Sequence, residues 1–128
     1  VLVSTLFDLY ALPLQSDHAE LVAVPSEKAP VIDGKLEEWD LSGEMFVYPV
    51  RNIRERYSAK VYSMHDKDYL YLAVKWRDPS PMVNNVDADG APGDGWMADC
   101  LQIRLITDIP QIHLTAWYSS KKDKAVLH

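Results

Sequence analysis

Apolar and polar positions in this chain alternate with a period of two over most of its recognisable elements. From Ser58 to Met64, Ala59, Val61 and Ser63 alternate with Lys60, Tyr62 and Met64. A polar loop, His65-Asp66-Lys67-Asp68, follows, and Tyr69 to Trp76 returns as a run rich in aromatic and β-forming residues. Two such runs around so short a loop predict an antiparallel hairpin. Further on, Leu101, Ile103 and Leu105 alternate with Cys100, Gln102, Arg104 and Ile106. Ile112, Leu114, Ala116 and Tyr118 alternate with His113, Thr115 and Trp117. This pattern predicts two strands of a half-buried antiparallel sheet, with the apolar set facing the core. Gln102, Arg104, His113, Thr115 and Trp117 then fall on the non-core faces.

The weaker signals are compatible with the same class. Leu21 to Val24 is a short apolar run, and Pro25 and Pro30 bracket the polar stretch after it. Asp33-Gly34 suits a tight turn, because glycine takes positive φ without steric cost. Leu36 to Asp40 predicts a single helical turn with Trp39 packed inward, and Glu44 to Val50 reads as another strand. Asp78 to Gly95 predicts a long irregular segment, with Pro79, Pro81, Pro92 and three glycines. Loops of this length usually have a task. No long helical period and no internal repeat is present. The expected fold is all-β: a mostly antiparallel β-sandwich of jelly-roll or immunoglobulin-like kind, with about six visible strands.

Size and charge narrow the picture. With 128 residues the chain is long enough for one domain with a core. A net charge of −6, with Lys121-Lys122 the only adjacent basic pair, disfavours nucleic acid as a partner. Arg51, Arg54 and Arg56 are close together but interrupted by Glu55. One cysteine, Cys100, rules out an internal disulfide and a multi-thiolate zinc site. It reads as a small packed side chain of a strand. Val1 to Leu14 is apolar apart from Ser4, Thr5 and Asp8, and is too short to span a bilayer. It reads either as the tail of a secretory signal peptide or as a first strand or helix. Residues 1–24 are therefore set apart from a domain at 25–128. Beginning at Val1 and ending at His128, the chain reads as a piece of a longer protein.

Candidate chemistry points to binding more than to catalysis. Glu37 and Glu38 are adjacent and diverge on either a strand or a helix, so they make no acid/base pair. Ser119-Ser120 lacks a nucleophile elbow, and no phosphate-cradling glycine loop occurs. Trp96 follows Gly93-Asp94-Gly95, which favours an accessible indole on which a sugar ring can stack. The other reading is that Trp96 caps the core beneath the loop. Gln102, Arg104, His113, Thr115 and Trp117 would make a platform of hydrogen-bonding groups beside a ring, or else a solvated outer face. Asp87, Asp89 and Asp94 offer hard oxygen ligands for calcium without the spacing of an EF-hand; turn formation is the commoner explanation of such residues, and Asp99 suits bonding to loop amides.

Three blocks in order carry a family resemblance. The first runs from Pro30-Val31-Ile32-Asp33-Gly34 through Trp39. The second is Ala59-Lys60-Val61 followed by Asp68-Tyr69-Leu70-Tyr71-Leu72-Ala73-Val74 and Asp78-Pro79. The third is Gly95-Trp96, Asp99 and Leu101-Gln102-Ile103-Arg104. Together they resemble the opening part of family 9 carbohydrate-binding modules and their DOMON-like β-sandwich relatives, truncated at the C-terminal side. The resemblance implies a non-catalytic module of a larger exported protein, extracellular or periplasmic, that holds partner domains of the same chain near a polysaccharide or oligosaccharide. It places Trp96 as the stacking ring. Gln102 stands where the family often has a carboxylate, and His113 and Thr115 stand where it has longer or amide-bearing donors. Trp117 joins them as a further orienting group. Other relatives, resembling the haem-binding subunit of ethylbenzene dehydrogenase, hold a b-type haem. In that alternative, drawn from Met82, Met97, His65 and His113, Met97 is the soft axial ligand of an electron-transfer module. A purely structural sandwich is the third reading.

Overall fold

The computed structural model describes residues 15–18, 20–86, 92–106 and 111–128. Among them the fold is all-β, with eight strands in two sheets, short 3₁₀ turns and one parallel pairing among otherwise antiparallel ones. No described helix is long and apolar enough to cross a membrane. The chain divides into two units, one ending at Pro79 and the other running from Ser80 to His128.

The first unit is built around β4 (Ser58–His65) and β5 (Leu70–Arg77). They pair antiparallel over their whole length, from Ser58↔Arg77 to His65↔Leu70. The turn closes on a single carboxylate. Asp66 Oδ1 accepts from the amides of Asp68 and Tyr69, each at 2.8 Å, and Oδ2 accepts from the Tyr71 hydroxyl at 2.7 Å. The Tyr71 bond, with those two amides, holds the Asp66 carboxyl below its usual range. The same bond pushes the Tyr71 hydroxyl up to about 12.

On the other side of β4 lie β3 (Met45–Tyr48), paired at Met45↔Val61, and β2 (Ala23–Pro25), paired in parallel at Ala23↔Ser63. β1 (Gln15–Ser16) extends β3. The boundary expected between residues 24 and 25 thus falls inside a strand of this sheet.

One face of this sheet carries the core of the unit. Trp39, Tyr62 and Met64 are buried together, with Val24, Leu36, Tyr71 and Ala73 against them. The Asp33-Gly34 turn forms as expected: Gly34 has φ +82°, and Asp33 Oδ1 accepts from the Lys35 amide at 2.9 Å. Trp39 packs inward from the turn after it, its amide bonded to Leu36 O at 3.2 Å. At the margin, Glu44 accepts from the Tyr62 hydroxyl at 2.7 Å and from Lys60 Nζ at 3.0 Å. Burial would raise the Glu44 pKa, but these two partners outweigh it, and the carboxyl ends up lowered.

The second unit holds β6 (Leu101–Leu105), β7 (Ile112–Ser119) and β8 (Lys124–Leu127), in that order and antiparallel throughout. Leu101 pairs with Ala116 and Trp117 with Val126. The turn into β8 places Asp123 at φ +52° and gives its carboxylate the Tyr118 hydroxyl, whose pKa rises in consequence.

Candidate functional site

The site is assembled on β7 and the short 3₁₀ turn Pro92–Met97. Strand alternation puts His113, Thr115, Trp117 and Ser119 on one face of β7. Trp117 is only 4% exposed, because Gly95 sits directly on its ring. A β-carbon at Gly95 would lie 2.5 Å from Trp117 Cε3, so only glycine lets the turn approach this closely.

Asn84 holds the same turn. It is fully buried, and its Nδ2 donates to Gly95 O at 2.7 Å and to Asp99 O at 3.1 Å. Its Oδ1 accepts from the Val86 amide at 3.0 Å, and its backbone carbonyl accepts from Ser120 N at 3.1 Å. Asp99 does bond a loop amide: its Oδ2 accepts from Val83 N at 2.8 Å.

Pinning Gly95 from both sides turns the next residue outward. Trp96 is 55% exposed. Gln102 and His113 are also exposed. Arg104↔His113 and Gln102↔Thr115 are register pairs, so Gln102 and His113 share a face as diagonal neighbours. His113 Nε2 lies 3.3 Å from Gln102 Oε1, a bond in which the ring N–H donates when Nε2 carries the proton. Gln102 Nε2 reaches Cys100 Sγ at 3.8 Å. The pair sets an amide and an imidazole side by side as hydrogen-bonding groups.

The platform expected from the alternation is smaller than five residues. Thr115 and Trp117 are buried and do not face solvent, and Arg104 is half-buried. The reason is non-local: the segment carrying Asn84 and Gly95 covers the Trp117 face. Meanwhile Leu101, Ile103 and Leu105, expected on the core side, are only half-buried, and Ile112 and Tyr118 are exposed. The sequence reading missed Asn84 as the residue that fixes the turn, and missed that Gly95 packs on Trp117. One signal was present: after His113, the covered face of β7 (Thr115, Trp117, Ser119) carries no charge.

For calcium, Asp87 and Asp89 lie outside the described residues, and Asp94 is half-buried. Among the described residues no group of three or more His, Cys, Asp or Glu is placed to hold a metal ion. Met97, the candidate haem ligand, is 62% exposed.

No family model, no curated protein and no solved structure matches this chain. The likeness to family 9 modules therefore rests on the three blocks of sequence alone.

Proposed function

We propose that this chain is a non-catalytic carbohydrate-binding module, similar to the family 9 and DOMON-like domains, within a longer exported protein. Its two sheets would pack as a sandwich, and its partners would be a polysaccharide or oligosaccharide and the other domains of the same chain. The observation that carries the reading is the exposed Trp96 indole, fixed on a turn seated over β7, the strand that also presents His113 beside Gln102. A sugar ring stacks its C–H face on the indole, and the amide and imidazole orient its hydroxyls. Affinity electrophoresis through a panel of neutral polysaccharides tests this. Retardation by at least one of them is expected, and Trp96→Ala should weaken it roughly tenfold, as loss of an aromatic anchor does. Unchanged retardation of Trp96→Ala in that gel removes Trp96 from the site. Retardation by none of the panel removes the sugar reading.

A further inference from the structure

The outer edge of β5 is unpaired among the described residues. β4 has β5 on one side and both β2 and β3 on the other, so β5 ends the sheet. It is eight residues long, from Leu70 to Arg77. An edge of that length presents a row of free backbone donors and acceptors, which proteins normally shorten, cover or blunt with charge. Here the edge opens into a groove of about 450 Å³. The β5 stretch from Leu72 to Lys75 forms one side, and Val31, Ile32, Leu36 and Trp39 form the other. Val31 is 55% and Ile32 74% exposed, so apolar surface stands ready on the rim. The only charged side chains lining the groove are Lys35 and Lys75. Neither belongs to an ion pair among the described residues.

We propose that this edge and groove accept an extended peptide strand that carries acidic side chains. The strand would add to β5 through backbone hydrogen bonds, place alternate apolar side chains under Val31 and Ile32, and bring carboxylates to Lys35 and Lys75. A second copy of β5 does not meet this charge requirement: β5 carries Lys75 and Arg77 and no acid, so it offers no carboxylate to Lys35 and Lys75.

The test uses the whole chain, isotope-labelled, with a capped heptapeptide of alternating valine and glutamate. Three companions go with it: the same peptide with lysine for glutamate, its N-methylated form, and an oligogalacturonate of equal charge. The glutamate peptide should shift the amide resonances of Leu72 to Lys75 and bind roughly tenfold more tightly than the lysine peptide. N-methylation should abolish the shifts, because it removes the backbone donors. Lys75→Gln, an exposed substitution whose folding is checked by circular dichroism, should weaken binding severalfold, and Lys35→Gln should do the same. The proposal is overturned if the lysine peptide binds equally or if no shift appears on β5. It is also overturned if the N-methylated peptide or the oligogalacturonate produces the same shifts, since recognition would then be by charge alone. Concentration-dependent shifts at β5 without any peptide would make a second copy the occupant and overturn it as well.

Discussion

Replacing Gly95 with alanine should loosen the turn that carries Trp96. The added carbon would lie 2.5 Å from Trp117 Cε3 and Cζ3 and 2.7 Å from Cη2. Carbon atoms rest at about 3.5–4.0 Å, so one partner must retreat by about 1 Å. Trp117 cannot swing away easily, because it is 4% exposed and packed on its strand. Lifting the turn instead stretches the 2.7 Å bond from Asn84 Nδ2 to Gly95 O. Overpacking of this kind costs about 1–3 kcal/mol, and weakening a buried hydrogen bond adds about 1 kcal/mol. The expected loss is about 3 kcal/mol, or roughly 10 °C in Tm for a chain of this size. Urea and thermal unfolding followed by circular dichroism measure it. Trp117→Phe supplies the control, since phenylalanine lacks the benzo-ring carbons that the new methyl would strike. It also removes the Trp117 Nε1–H, which has no hydrogen-bond partner among the described residues. In that background Gly95→Ala should cost at least ~1 kcal/mol less than in the wild type. An alanine variant with the wild-type midpoint, or a cycle in which the two costs simply add, refutes the contact.

Two further outcomes follow from the same description. Asn84→Ala should lose about 3 kcal/mol, because it removes a fully buried side chain, strands the buried Gly95 carbonyl and takes the partner from the part-buried Asp99 carbonyl and Val86 amide; urea unfolding within about 0.5 kcal/mol of wild type would contradict that. Tyr62→Phe should move acid unfolding to higher pH. The folded Glu44 carboxyl is held below its ordinary 4.5. Its contribution is therefore complete above that value and fades as pH falls through the folded pKa. Removing the Tyr62 hydroxyl raises the folded pKa, so the loss begins earlier on acidification. The partner group gives a second readout: burial first, and the Glu44 bond second, push the Tyr62 hydroxyl up to about 12, so the late component of the alkaline phenol titration, which Tyr71 shares, should be smaller by one phenol in the variant.

The hairpin of β4 and β5 was legible because both its strands and its turn residues are local. The period-two run from Ser58 and the carboxylate of Asp66 are neighbours in sequence. Trp39 was legible too, as the one large aromatic after a glycine turn. The pairing of Ala23 with Ser63 was not, because a parallel partner leaves no local trace and β2 is only three residues long. β1 and β8 are two and four residues and gain their identity only from the strand beside them. The site was half legible. Trp96, Gln102 and His113 are exposed as the alternation and the glycines implied. Thr115 and Trp117 were assigned to the outer face by apolarity, which ranks leucine and isoleucine first and cannot see that a distant asparagine-anchored loop comes to lie on Trp117.

The parallel strand has a bearing on how the first unit assembles. Ala23 and Ser63 are forty positions apart, whereas His65 and Leu70 are five apart. Zipping of the hairpin closes a small ring within microseconds; docking of β2 must wait until a loop eight times longer has been drawn in. The stretch from Ala23 to Pro25 accordingly joins the sheet only after the hairpin has closed.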